Sequence, residues 1–348
     1  MLHHNKYLWC RIVAFCHGTE QGIEQTRQAL FSVCKKWRND FKLHLWVHPT
    51  WAYCKALEAK NYHLANTIWD FSGDCIDCHS ETVVQAVFKY GNVLHANRLI
   101  ARDDFDPSAK NNCAIRHASE NGHFDVVQLL LQDPRVNPAA WDNDAIEWAS
   151  EKGHFDVVQL LLQDPRVDPA AGNNYAIGCA SANGHFDLVQ LLLQDPRVDP
   201  SDQYNSAIRW ASEKDHFDVV QLLLQHPRVD PSAGNNYAIG CASENGHFDV
   251  VQLLLQDPRV DPSDVDNHAI RWASEKNHFD VVQLLLQDPR VDPSAENNYA
   301  IRWASKKGHV DVVQLLLQDP RVDPFADDIF VVRLVRFLVK KCRNFFYQ

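Results

Sequence analysis

The chain has 348 residues, 45% of them apolar, with 45 acidic against 34 basic side chains and a net charge of −11. That length suits two or three globular units or one elongated array, and the charge balance argues against nucleic-acid binding driven by phosphate contacts, which needs a dense positive surface. No stretch of about 18 apolar residues marks a membrane span, and Met1 to Cys16 has neither a clean apolar core nor a small-residue cleavage site. Ten cysteines are too sparse for a disulfide scaffold and read as reduced thiols. The expectation is a protein without integral membrane contact in cytosol or nucleus, or in host cytoplasm if the chain comes from a large virus or parasite.

Residues 1–48 stand outside the repeat that organises the rest of the chain and are expected to be helical. Ile12-Val13-x-Phe15 is followed by Ala29-Leu30-Phe31-Ser32-Val33-Cys34-Lys35-Lys36-Trp37-Arg38. The second cluster resembles the closing segment of the F-box motif, which helps form the surface that docks on the adaptor Skp1. The family's opening Leu-Pro element is missing. The resemblance implies adaptor contacts through Ile12, Phe15, Leu30, Val33, Cys34 and Trp37. The competing reading is a helical cap that shields the first repeat, since solenoid ends need a polar outer face.

Residues 49–110 contain two degenerate copies of the repeat: Gly91 lies 31 positions before Gly122, and Ala65-Asn66 lies 31 before Ala96-Asn97. Within them Cys75-Ile76-Asp77-Cys78-His79 matches the haem-attachment pattern, and Cys-x-x-Cys also occurs in zinc sites. Haem attachment normally accompanies export, and zinc would need two more ligands, for which Cys54 and His63 are the nearest candidates. The cysteines are therefore read as structural, with no cofactor expected.

Residues 111–327 carry seven regular units. The His-Phe-Asp triplet at His123 returns at His154, His185, His216, His247 and His278, then as His-Val-Asp at His309, always at an interval of 31. So strict a period is the mark of a solenoid, whose units cannot bury their apolar faces alone. In the unit 235–265, Ala238, Ile239 and Ala242 form one face of a short first helix with Asn236 as its N-cap. Gly246 is expected to end that helix in the left-handed conformation, and Asp215 and Asn277, which replace glycine in the same column, tolerate that conformation best. The second helix runs from about His247 to Gln256, with Phe248, Val251, Leu254 and Leu255 apolar and Asp249, Gln252 and Gln256 polar. Asp257-Pro258 stops it.

Gly246-His247-Phe248-Asp249-Val250-Val251-Gln252-Leu253-Leu254-Leu255 and Ala269-Ile270-Arg271-Trp272-Ala273-Ser274 resemble the ankyrin repeat. The resemblance implies an all-α helix-turn-helix solenoid whose concave face binds proteins. The family's usual repeat is about 33 residues, so the loop between repeats should be short. The family's Thr-Pro start of the first helix is absent, which leaves Asn143, Asn174 and Asn205 as substitute caps.

Residues 173–234 match 235–296 at 54 of 62 positions, and differences collect at loop tips: Gln203/Val265, Tyr204/Asp266 and Ser206/His268. A partner-reading surface would vary there, and so would a recent duplication that has begun to drift. One further column alternates Trp148, Cys179, Trp210, Cys241, Trp272, Trp303, beside Glu147, Gly178, Arg209, Gly240, Arg271, Arg302. Packing compensation and partner contact are both open for it, tryptophan and arginine being frequent in binding hot spots. The candidate partner surface is therefore Glu147, Trp148, Gln203, Tyr204, Ser206, Arg209, Trp210, Val265, Asp266, His268, Arg271, Trp272, Arg302 and Trp303.

The repeated histidines are read as hydrogen-bonded at the turn between their own helices, because neighbouring helices about 8 to 10 Å apart cannot share a metal ion through bonds of about 2 Å. The Asp-Arg pairs of Asp-Pro-Arg-Val-Asp-Pro are read as exposed loop charges of little individual worth. Seven near-identical modules offer no unique catalytic constellation. Residues 328–348 end the chain as an amphipathic basic helix with Arg333, Arg336, Lys340 and Arg343, suited to close the stack or to meet an anionic surface.

Overall fold

In the computed structural model, residues 49–62, 65–66, 69 and 81–323 are described. The adaptor candidates of residues 1–48, the Cys75-Cys78-His79 cluster, His63 and the helix at 328–348 lie outside the described residues.

Seventeen helices and no strands make up this part of the chain. Helix α1 spans Pro49–Glu58, α2 Glu81–Tyr90 and α3 Val93–Ile100. Seven helix pairs follow, with first helices α4 Ala109–Glu120, α6 Ala140–Glu151, α8 Ala171–Ala182, α10 Asp202–Glu213, α12 Ala233–Asn245, α14 Asp264–Glu275 and α16 Ala295–Lys307. Their second helices are α5 Phe124–Leu131, α7 Phe155–Leu162, α9 Phe186–Leu193, α11 Phe217–Leu224, α13 Phe248–Leu255, α15 Phe279–Leu285 and α17 Val310–Leu316.

Each first helix turns small side chains, such as Ala207, Ala211 and Ser212, toward its neighbours, and all three are fully buried. First helices consequently pack closely on one another while the second helices, carrying Val and Leu, stand further apart. This difference in spacing curves the stack, with the first helices on its inner side. In each second helix the Val-Val pair, Leu188-Val189 in α9, and the middle leucine are buried, as Val250, Val251 and Leu254 are in α13. Each such side chain contributes about 1.5 to 3 kcal/mol of apolar burial. Phe248 departs from expectation: it is 36% exposed, at the rim of the outer face, and Val250 takes its place in the core.

The first helices do not start as capped right-handed helices. In α10 the backbone opens with a left-handed turn, Gln203, Tyr204 and Asn205 at φ of 52°, 55° and 58°, before the right-handed turns begin. The same turn opens all seven regular first helices, and its third residue is always asparagine. That asparagine is not an N-cap to its own helix. Asn205 Oδ1 accepts the backbone N–H of Asp230 at 2.8 Å, and Asn143, Asn174 and Asn236 likewise accept from Asp168, Asp199 and Asp261 in the next loop. Asn205 is 6% exposed, so the bond replaces water that a buried amide would otherwise lose.

The other end of the first helix follows expectation. Gly246 closes α12 at φ 79°, and Asp215 and Asn277 hold the same left-handed conformation at φ 65° and 69°.

Two bonds cross each seam. The histidines bond across repeats, not within their own turn: His216 Nε2 donates to Ala182 O at 3.0 Å, and His247 and His278 to Glu213 O and Glu244 O. The loop arginines are exposed, as expected, but each also reaches across the seam. Arg259 grips Asp257 through Nε and Nη2 at 2.9 and 2.6 Å and donates Nη1 to Val229 O of the preceding repeat at 2.7 Å. Asp257 is only 14% exposed, and the arginine fork holds its carboxyl below the usual carboxylate range. With the guanidinium more than a third exposed, solvent screening keeps the worth of the ion pair to about 1 kcal/mol or less. Every seam of the regular array is thus tied by a histidine and an arginine, each bonding a main-chain carbonyl of the preceding repeat, while the asparagine ties the tip of its own repeat to the loop that closes it.

The degenerate repeats use other means. Asn92 replaces the histidine and caps α3, its side chain accepting His95 N at 3.2 Å. Buried Tyr53 bonds His95 Nδ1 at 2.7 Å, and Trp69 stacks on the same ring at 4.6 Å.

Candidate functional site

The inner face is built from the left-handed tips and the outward positions of the first helices. Gln203 and Tyr204 lie at one tip, Val265 and Asp266 at another, all exposed, with Tyr204 at 76%. Left-handed backbone at Tyr204 and Val265 costs about 1 to 2 kcal/mol per residue, and most at the β-branched valine. Neither side chain recovers that cost by burial, because Val265 is 46% exposed. Trp141, in the same column as Gln203 and Val265, is 61% exposed at the equivalent tip and joins the candidate surface, a residue that residues 173–296 alone do not reveal.

Behind the tips runs a row of half-buried rings and guanidinium groups. Trp210 meets Tyr175 edge-on at 6.2 Å, Trp272 meets His268 at 5.1 Å, and Trp303 lies 5.7 Å from Tyr299. Arg209 stacks over Tyr237 and Arg271 over Tyr299, each at 4.5 Å. The tyrosine column, Tyr175, Tyr237 and Tyr299, thus joins the site although the alternation of tryptophan and cysteine did not point to it. Arg302 and Trp148 occupy the same rows, Trp148 under Arg116 at 4.7 Å.

Packing compensation holds where glycine meets tryptophan. A Cβ on Gly178 would lie 2.7 Å from Trp210, so the large ring of one repeat fills the space left by the small residue of the one before. Cys179 and Cys241 are buried, and burial pushes the Cys179 thiol up to about 11. Ser206 is 7% exposed and tucked toward Gly178, which removes it from the contact surface.

Charge is unevenly spread along this face. Near its first repeats, Glu147 stands with Asp142 and Asp144. Burial, and then the charges of Asp144 and Asp142, push the Glu147 carboxyl up to about 7. Further along, Lys276 pairs with Glu244 at 3.6 Å and Lys307 with Glu275 at 2.9 Å. Among the described residues no cluster of three or more His, Cys, Asp or Glu could hold a metal ion, and no helix is long and apolar enough to cross a membrane.

The fold is an all-α repeat solenoid with a continuous, varied inner face. A family model for ankyrin repeats, described as three copies, matches residues 83–173, 146–235, 175–266 and 239–328, so the chain belongs to the ankyrin-repeat family. Such arrays are protein–protein interaction modules and are typically not enzymes. No curated protein matches the chain.

Proposed function

We propose that the inner face of this array binds one protein partner, with the tips at Trp141, Gln203, Tyr204, Val265 and Asp266 and the row through Trp210, Arg271 and Trp303 as the contact surface. One observation carries the reading. On the outer face three exposed columns, those of Asp218, Gln221 and Gln225, hold the same residue in all seven regular repeats. On the inner face the exposed tip column runs Lys110, Trp141, Gly172, Gln203, Gly234, Val265, Glu296. Drift after duplication would have changed exposed positions on both faces alike. Among these columns only the inner one differs, which supports selection there for contact with something other than the array itself.

A photo-crosslinking residue in place of Tyr204 is expected to trap a partner that the same residue in place of outer-face Gln221 does not. Capture from Gln221 alone, or equally from both, would overturn the reading. The work proposed is binding, without catalysis and in cytosol or nucleus, since near-identical units provide no unique reactive site.

Coupling to a ubiquitin ligase is a second reading, supported by the Val33-Cys34-Lys35-Lys36-Trp37 run. In it, Ile12, Phe15, Leu30, Val33, Cys34 and Trp37 dock on a Skp1-type adaptor while the array holds the substrate. Skp1 is expected to be retained by the full chain and lost with Trp37→Ala; absence of retention removes this reading and leaves a plain interaction scaffold.

A further inference from the structure

The arginines of this array mostly have a carboxylate partner. Those of the loops grip an aspartate, the exception being Arg228, which stands 3.8 Å from Asp199; Arg116 reaches Asp144 at 2.8 Å. Arg209, Arg271 and Arg302 have no carboxylate partner among the described residues. These three occupy a single column of the inner face, 62 and then 31 residues apart.

They are nonetheless held in place. Arg209 and Arg271 lie flat on Tyr237 and Tyr299. Each of the three donates Nη1 to a carbonyl at its own tip: Arg209 to Gln203 at 3.3 Å, Arg271 to Asp266 at 3.2 Å and Arg302 to Asn297 at 3.4 Å. Their Nε atoms are buried without a hydrogen bond. A guanidinium stacked on a ring, fixed on one edge and partly stripped of water, is prepared for a carboxylate. Nearby glutamates do not fill the role: Glu213 pairs with Lys214 and Glu275 with Lys307 and Tyr299.

We infer that the partner lies along the inner face as an extended segment whose Asp or Glu side chains pair in register with Arg209, Arg271 and Arg302. The register follows from geometry. First helices stack about 10 Å apart, which an extended chain spans in about three residues. Acidic residues therefore fall at a first position, about six positions on, and about nine positions on. The column two repeats earlier holds Glu147 beside Asp142, so a basic residue fits about six positions before the first acid. Arg116 adds no fourth anion site, because the Asp144 carboxylate already stands 2.8 Å from it and neutralises its charge.

This inference rests on the inner face being the protein-binding surface, and the test separates the two. Fluorescence anisotropy with the full chain would compare a 20-residue peptide carrying Lys, Glu, Glu and Glu in this register with one of equal composition and the acids shifted by two positions. Binding of the first at least about tenfold tighter is expected. Arg271→Gln should abolish that preference, and Arg271→Lys, which keeps charge and stem, should recover only part of it. Circular dichroism of both variants controls for folding. Equal binding of the two peptides, no binding of either, or equal capture of a heparin fragment or duplex DNA would overturn the register. Should the crosslinker at Tyr204 trap a partner whose contact segment lacks these acids, only the register falls. Should it trap nothing, the binding reading falls with it.

Discussion

Two neighbouring repeats, 203–233 and 234–264, show how a seam behaves when its bonding groups change. The second has Gly246 at the end of its first helix and Asp257 in its loop; the first has Asp215 and His226 at those places. Both changes are absorbed without loss of the fold. Asp215 keeps the left-handed turn and brings its carboxylate to 3.7 Å from His247 Nδ1. With His226 in place of the aspartate, Arg228 gives up the fork, reaches Val198 O through Nη2 instead of Nη1, at 2.5 Å, and drifts toward Asp199 at 3.8 Å. The bond common to both repeats is therefore the one from arginine to the preceding repeat's carbonyl. The aspartate positions the arginine.

The largest difference between the two repeats is expected from removing that arginine. Arg259→Ala leaves a partly buried carboxylate at Asp257 and an unpaired carbonyl at Val229, a loss of about 2 kcal/mol in urea unfolding. Arg228→Ala leaves no carboxylate behind and should cost about 1 kcal/mol. Equal losses would mean that the aspartate contributes nothing to the seam.

Next in size is the helix end. Gly246→Ala places a methyl against the His278 ring at φ 79° and should lower stability by about 1 to 2 kcal/mol. Asp215→Gly should raise it by about 1 kcal/mol, since it removes the left-handed cost in exchange for a long, half-exposed contact to His247. A loss on Asp215→Gly would show that the His247 contact outweighs backbone strain.

Ser212 and Ser243 hold identical places in the two repeats, fully buried, with no hydrogen bond from Oγ among the described residues. Replacing either by alanine should stabilise the chain by up to about 1 kcal/mol, and by the same amount in both. An unequal response would reveal a bond that one of them makes.

Much of this architecture was legible in the residues themselves. The interval of 31, the leucine run and the glycine column give the helices, their ends and the stacking, because apolar periodicity and left-handed caps are local properties. The seam was not legible. Asn205 before an apolar run reads equally as a cap or as a cross-link. The acceptors of His216 and Arg259 are main-chain carbonyls 34 and 30 residues back, which no residue type announces. Asp257 and Arg259, two apart in a polar loop, look like any solvated pair until the carbonyl of Val229 is seen beside them. Ser206 seemed available because its column varies, yet the small Gly178 of the preceding repeat draws it inside. The inner face was half legible: its columns show in the alignment of units, but the stacking of Arg209 on Tyr237 joins residues from different repeats.

The smallest effect separates the two loops by pH. In His226→Asp the new carboxylate should recover the fork on Arg228, its pKa held low as that of Asp257 is by Arg259. A depressed carboxyl contributes stability above its unfolded value, about 3.9, and loses it as pH falls through the folded one. His226 acts in the opposite sense. Burial, and then the charge of Arg228, lower its pKa, so the unfolded chain takes up the proton first and the natural protein weakens as pH drops below about 6.5. The gain from the substitution should therefore be under about 1 kcal/mol at pH 7, grow as pH falls toward about 5, and vanish below about 3 as the new carboxyl is protonated. Thermal melts of both proteins across that range would show a maximum in the difference. A flat difference would mean that Arg228 already bonds as well without its aspartate, and the two seams would then be equivalent.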